Sequence, residues 1–189
     1  MPLDSSSLDA GNGLPGVASF NRYCYHVAGV VGEMLTELYC NHNAVISRRR
    51  EVMMPLAVSF GQGLQLTNIL KDVWNDLERG ACWLPQTLMI KHGIEPQQLS
   101  AMRGSDAVDH LLGKLLAIAH GHLQDALCFT LLIPSQETGL RRFCLWAIGT
   151  ALLTLQRLRK NSSYRSSSEV KISRSSLKLS MVLCNAFNH

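Results

Sequence analysis

The sequence is poor in aromatic side chains, at 6%, and in charged ones, at 17%. It lacks the alternating β-branched runs that mark half-buried strands. With 47% apolar residues and frequent Leu, Ala and Met, these absences favour an all-α chain. The six cysteines (Cys24, Cys40, Cys82, Cys128, Cys144, Cys184) contain no Cys-x-x-Cys pair. That excludes the common zinc and dithiol motifs, and the cysteines read as buried free thiols of a reducing compartment. Met1 to Gly16 has no basic start followed by an apolar run, so no secretory signal is visible. The longest apolar run, Phe143 to Leu155, is thirteen residues and includes Gly and Thr, too short to span a bilayer. A soluble, cytoplasmic protein is expected, with peripheral membrane contact where a greasy substrate brings it there. The 189 residues fit one domain large enough to bury a core.

The net charge of +4 is unevenly placed: seven Lys or Arg and one Glu between Arg157 and Lys178 give +6, so the remainder sums to −2. A Ser-rich basic segment of this kind is usually solvated, and apart from Tyr164 no aromatic residues interleave with it, so no nucleic-acid partner is expected. His120 and His122 are the nearest approach to a histidine ligand pair. At i and i+2 they point to different sides of a helix, which argues against a metal there.

What the sequence does contain is a stretch with polar groups where a helix normally buries apolar ones: Gly61-Gln-Gly-Leu-Gln-Leu-Thr-Asn-Ile-Leu-Lys-Asp-Val-Trp-Asn-Asp76. At 100° per residue, Gln65, Asn68, Asp72 and Asp76 fall within an arc of about 80°. Leu66, Ile69, Leu70 and Val73 lie to one side and offer a separate face to a core. Carboxylates at i and i+4 repel by a few tenths of a kcal/mol when exposed, and more in a cleft. Such pairs also occur on ordinary solvated helices. Here an Asn amide one turn before the first Asp completes an oxygen set suited to a hard cation such as Mg²⁺, which fills its remaining positions with water and phosphate. Lys71 is either a solvated lysine or a counter-charge for phosphate.

Along the chain, residues 1–18 read as a flexible leader and 19–189 as the folded part. Ser19 can cap a helix to about Cys40. Its Ala28, Gly29 and Gly32 serve either close helix packing or the approach of a long apolar ligand. Asn41 to Ser47 reads as a loop. A long helix follows from about Arg48 to Glu78, with Pro55 marking a break or a fresh start. Brief helices are expected up to His92 and over about Pro96 to Met102. Ser105 caps a helix of about Asp106 to Leu132, stopped by Pro134; the next covers about Gln136 to Lys160, and the last about Glu169 to Phe187. No internal repeat is evident.

Tyr23-Cys-Tyr-His-Val-Ala-Gly-Val-Val-Gly32 and Leu64-Gln-Leu-Thr-Asn-Ile-Leu-Lys-Asp-Val-Trp-Asn-Asp76, followed by Trp83-Leu-Pro85, resemble the squalene/phytoene synthase family of head-to-head prenyltransferases. The resemblance runs from about Phe20 to about Lys178. It implies the C-terminal portion of an isoprenoid-synthase-type helical bundle with a central cavity, where Mg²⁺ holds the diphosphates of two prenyl diphosphates. In such enzymes an allylic cation forms, is captured to a cyclopropyl intermediate and rearranges. Squalene synthases then reduce the product with NADPH, and phytoene synthases do not. By the resemblance, Asn68, Asp72 and Asp76 are metal ligands, Gln65 and Lys71 contact phosphate, and Tyr23 is the cavity tyrosine that handles protons and steadies a cation. Arg142-Phe-Cys144 and Val170-Lys-Ile-Ser-Arg174 look closer to squalene synthases. They imply that Phe143 serves the second half-reaction, unless it is a core residue, and that Lys171 and Arg174 hold nucleotide or phosphate.

One departure accompanies these matches. The family carries two aspartate stripes on facing helices, the first well upstream of the Tyr23 motif. Asp4 and Asp9 are five apart in the leader, and Asp106 and Asp109 are three apart in the wrong region. The expectation is a partial domain without the upstream helices, poorly soluble or dependent on a separate N-terminal part or an intact homologue. Squalene formation from farnesyl diphosphate is the leading reading. Phytoene or dehydrosqualene formation, and a non-catalytic fragment that binds prenyl diphosphate or a homologue, are the alternatives.

Overall fold

The computed structural model describes residues 11–173 and 175–177. Among them the architecture is all-α, with a single isolated bridge between Leu14 and Pro85. Helix α1 (Val17–Cys24) passes through a π-helical turn (Tyr25–Gly29) into α2 (Val30–His42), and a short α3 (Ala44–Arg48) leads to the long α4 (Arg50–Glu78). Then come α5 (Gln86–Lys91), a 3₁₀ turn (Pro96–Gln98), α6 (Asp106–Leu132) and α7 (Thr138–Lys160). Helix α4 is central, packing on α2, the π turn, α6 and α7.

The apolar face of α4 explains that position. Leu66, Ile69, Leu70, Val73 and Trp74 are buried in one cluster with α1, α6 and the end of α7, each aliphatic side chain contributing about 1.5–3 kcal/mol. Met53, Ala57 and Phe60 join a second cluster with Tyr39, Ile46, Phe129 and Cys144. On the side toward α2 the backbones themselves meet. A Cβ on Gly32 would lie 2.1 Å from the Ala57 carbonyl oxygen, and one on Gly61 would lie 2.2 Å from that of Ala28. Both neighbours are backbone and cannot swing aside. The small residues of the Tyr23–Gly32 motif therefore serve close packing. Between α4 and α6, Ser59 Oγ sits 2.7 Å from His122 Nδ1 and donates to Asp125 Oδ2 at 2.7 Å, which gives His122 a structural partner.

Several boundaries differ from the sequence reading, each for a local reason. The ordered chain enters ahead of Ser19: Leu14 is buried, its N–H donates to the Leu84 carbonyl, and its own carbonyl accepts from Gln86 N. Asn43, expected in a loop, caps α3 by accepting from Val45 N and Ile46 N, and its amide donates to Glu137 Oε1 at 2.7 Å. Pro55 does not break α4. It lies near the N-terminus on an exposed side, where the Glu51 carbonyl it leaves free meets water. Glu169 to Ser173 is not helical. Val170 is fully buried, and the Lys171 carbonyl accepts from Arg157 Nη1 at 2.7 Å, so this segment spends its groups on tertiary contacts. Cys24, Cys82 and Cys144 are buried as expected, Cys40 is half-buried, Cys128 is exposed, and Cys184 lies outside the described residues. Helix α6 is long and apolar enough to cross a membrane by length and composition. Here it carries nine buried residues into the bundle core.

Gly61→Ala should cost about 1–3 kcal/mol, because its methyl forces α4 away from the Ala28 carbonyl. Urea unfolding of the variant against the wild type measures this; an unchanged midpoint would mean that the two helices are not held at this separation.

Candidate active site

The unbroken helix α4 carries Gln65, Asn68, Asp72 and Asp76 along one stripe, bringing together the residues expected to act on a metal and on phosphate. Asn68 is exposed, and the other three are half-buried. Lys71 Nζ pairs with Asp72 Oδ2 at 3.2 Å, and Arg79 lies 3.8 Å from Asp76. The hydroxyl of the buried Tyr164 donates to the Leu70 carbonyl, and at the edge of the stripe Ser167 N donates to Asn75 Oδ1 at 2.8 Å. The segment after α7 thus folds back on α4 and holds it at two points. Burial, with Asp72 nearby as a second cause, pushes the Tyr164 phenol up.

At the C-terminal end of the stripe, Asp76 meets the turn that follows α4. Its backbone carbonyl accepts from Ala81 N at 2.9 Å, and the Trp83 side chain lies near its carboxylate. The Trp83 ring stacks on Tyr23, centroids 4.6 Å apart and planes within 10°. Burial first, and the Asp72 charge second, push the Asp76 carboxyl up, against the pull of Arg79, Trp83 and Lys71. Tyr23 is also pushed up, first by burial, then by Cys24 and Asp76. Cys24 beside it is raised to about 12 by burial, which keeps it a thiol. Nothing in the sequence flagged Trp83 as a contact of the site. Its two neighbours come from α1 and α4, and only the Trp-Leu-Pro pattern marked the position.

The stripe borders an apolar groove of about 210 Å³ between the π turn, α2, α4, α6 and α7, lined by Val31, Leu35, Phe60, Leu64, Phe129 and Phe143 among others. A second cleft of about 400 Å³ holds Asn68 and Thr67 of α4 against Trp146 and Thr150 of α7. Leu64, Phe143 and Ala147 line both, so a polar mouth at Asn68 leads into an apolar interior. Phe143 stands at the junction and is 52% exposed, which overturns the core alternative for it. Lys171 is exposed and makes its described contact through its backbone carbonyl, with Arg157; Arg174 lies outside the described residues. On α2, Val31, Met34 and Leu38 fall within about 60° of arc and are 42%, 55% and 55% exposed, an apolar stripe with no cover among the described residues. Among those residues there is also no group of three or more His, Cys, Asp or Glu placed to hold a metal; the acidic donors of the stripe are the pair Asp72 and Asp76.

An all-α bundle whose central helix carries a polar stripe, with Asn68 in a cleft that adjoins an apolar groove, is an isoprenoid-synthase-type fold. The squalene/phytoene synthase profile matches residues 8–176, and the chain belongs to that family. Its relatives include a phytoene synthase of Thermus thermophilus, 40% identical over 105 residues that cover 53% of this chain and 34% of that protein. Another is a squalene synthase of Candida albicans, 30% identical over 153 residues, covering 79% of this chain and 34% of that one. The crystal structure of a dehydrosqualene synthase superposes with a TM-score of 0.71 at 23% identity, over 92% of this chain and 58% of that one, a likeness of fold. The chain spans 34% to 39% of the length of the first curated relatives it matches.

Asp76→Asn should stabilise the fold at neutral pH. The carboxyl's folded value lies above its ordinary 3.8, so the ionised form disfavours folding at pH values above the folded one, and the effect vanishes below the unfolded one. The gain should appear as a rise in Tm at neutral pH, each 1 kcal/mol being worth about 2–4 °C for a domain of this size. Melting curves from pH 7 down to pH 4 should show the gain closing as the acid protonates; a gain independent of pH would remove the desolvated carboxylate as its cause.

Proposed function

We propose that this chain supplies one half of a head-to-head prenyltransferase site, in which two molecules of a prenyl diphosphate, farnesyl diphosphate by preference, condense to squalene. The observation that carries the reading is the junction at Leu64 and Phe143, where the polar stripe of α4 opens onto the apolar groove. A prenyl diphosphate has the same two-part character, a charged head and a long apolar tail. Asn68, Asp72 and Asp76 form an all-oxygen donor set on one helix face, which fits Mg²⁺; bound there, the ion would neutralise the diphosphate head and favour its departure. Lys71, already beside Asp72, adds charge to the leaving group, and Gln65 adds a hydrogen-bonding amide. Departure with the bonding electron pair leaves an allylic cation. Tyr23 offers a π face and a phenol of raised pKa beside it, and the groove excludes water that would quench the cation. Phe143 faces the same space for the cyclopropyl rearrangement. Lys171 with Arg174 would hold NADPH for the final reduction.

The facing carboxylates and the cover for Val31, Met34 and Leu38 come, in this reading, from polypeptide beyond the described residues, whose chemistry is helical, apolar on one side and acidic toward the cleft. A second product is favoured by the likeness to the Thermus thermophilus phytoene synthase: condensation without reduction, giving a phytoene-type or dehydrosqualene-type hydrocarbon.

Two measurements test the proposal. Titration of the chain with inorganic pyrophosphate and Mg²⁺ should show metal-dependent binding that Asp72→Ala weakens at least about tenfold, the loss of a charge-assisted contact; unchanged affinity in that variant would sink the site. Incubation with farnesyl diphosphate and Mg²⁺, with the chain by itself and co-expressed with an intact homologue, followed by mass spectrometry of extracted lipids, reads the product. Squalene formed only with NADPH supports the first reading, a hydrocarbon formed equally without NADPH supports the second, and none under any condition argues for a non-catalytic binding fragment.

A further inference from the structure

Near the turn that joins α6 to α7, Ala126 and Phe129 are buried with Cys144 and Ile148. Farther from that turn a cleft of about 700 Å³ opens between the two helices, a size usual for a small-molecule site. It shares no lining residue with the groove or the cleft beside the polar stripe. Helix α7 presents Ala147, Thr150 and Thr154 to the stripe side and Leu152, Gln156 and Arg159 to this one, and at 100° per residue the two sets lie on opposite faces.

The cleft is open because its α6 wall is small at Gly113, where an added Cβ would meet nothing within 4 Å. Leu116, Leu152 and Leu155 make the lining apolar. Its polar side chains are His120, Gln156 and Arg159; all three are exposed, and none makes a hydrogen bond or ion pair among the described residues. No carboxylate lines this cleft. Arg159 shares the basic last turn of α7 with Arg157 and Lys160, where the basic segment of the sequence begins. Arg157 is already engaged, its Nη1 donating to the Lys171 carbonyl at 2.7 Å. Arg159 also lines an adjoining cavity of about 220 Å³ with Asp109, whose carboxylate accepts from Ser162 Oγ at 3.2 Å. Asp109 is about 16 Å along α6 from His120. An anion is therefore favoured at the His120 end and opposed at the other.

We propose that the cleft between α6 and α7 is a second binding site, for one molecule of a single-chain anionic amphiphile: a hydrocarbon chain with a phosphate or carboxylate head. The head lies among His120, Gln156 and Arg159, where the guanidinium fork matches the geometry of an oxyanion and the Gln amide adds a donor. The chain lies along Leu116, Leu152 and Leu155. A nucleotide fits less well, because His120 is the one ring in the lining on which a base could stack. With no carboxylate in that lining, the site accepts an anion without a metal ion, unlike the stripe of α4. The inference is independent of the function proposed above.

The test is calorimetric titration of the full chain with decyl phosphate, below its micelle concentration and in EDTA. The wild type should bind one equivalent. Arg159→Gln should weaken binding about tenfold, the loss of one charge-assisted contact. Gly113→Leu should weaken it at least as much by filling the cleft; the position is exposed and Leu favours a helix, so native helicity should persist. Asp72→Ala, which removes a donor of the stripe, should leave the affinity unchanged. Inorganic phosphate and decan-1-ol, head and chain alone, should each bind at least about tenfold more weakly. A wild-type chain that takes up no decyl phosphate would overturn the proposal, as would unchanged affinity in either cleft variant, which would put the ligand on the exposed stripe of α2 or elsewhere. Affinity lost in Asp72→Ala would move the ligand to α4, and decan-1-ol bound as tightly as decyl phosphate would remove the anionic head; each is a refutation. Association with phosphatidylglycerol vesicles without binding of the dispersed amphiphile would assign the basic turn to a membrane surface and overturn the proposal as well.

Discussion

The separation between α4 and the helix before it is set by backbone meeting backbone, at Gly32 against Ala57 and at Gly61 against Ala28. Side-chain packing tolerates adjustment, but a carbonyl oxygen at this distance does not. With α4 pinned on that side, its apolar residues meet α6 and α7 in a fixed register. The face left over is the polar stripe. The same small residues also form part of the groove wall: Ala28, Gly32 and Gly61 all line it. The groove exists because larger lining side chains such as Val31, Phe60 and Phe143 stand around a floor with almost none. Close packing and an open groove floor are two results of one feature.

A second constraint acts along α4. Two carboxylates one turn apart on a half-buried face oppose folding, and the raised Asp76 carboxyl is the sign of it. Lys71, Arg79 and Trp83 offset part of this unfavourable charge without removing it. A fold selected for stability would place an amide or an aliphatic residue at Asp76. Retaining the acid is consistent with a site whose binding energy comes from a cation that the carboxylates attract.

Much of this was legible in the chain. Spacing of 100° per residue sorts Asn68, Asp72 and Asp76 from Leu66, Ile69 and Leu70, because on a straight helix sequence position determines direction. Ser105 and Pro134 bracket α6 because caps and breakers act locally: Ser105 accepts from Val108 N. The misjudged segments depend on distant partners. Leu14 is ordered by Leu84, Asn43 is fixed by Glu137, and Lys171 is held by Arg157. Local composition there says only turn, leader or helix. Trp83 escaped for the same reason, since its stacking partner Tyr23 is on α1 and no periodicity relates the two. Phe143 illustrates the converse: the sequence left it as either a site residue or a core residue, and the run turns outward at this first position.

The exposed stripe of α2 and the open groove make one demand of whatever covers them. An allylic cation survives only where water is excluded, yet Phe143 and Val31 are about half exposed. A contiguous apolar surface of this kind is also an association hazard for a free chain. The cover that removes the hazard would be the one that dries the site. Under the proposed function, stability and chemistry would be coupled through one surface: conditions that favour burial of Val31, Met34 and Leu38 would also close the groove over a bound tail. A polypeptide that brought carboxylates to face Asp72 and Asp76 would gain affinity from both the apolar stripe and the shared cation. Its binding would then strengthen with Mg²⁺ and diphosphate present, because linkage requires that a ligand held by two partners draws them together.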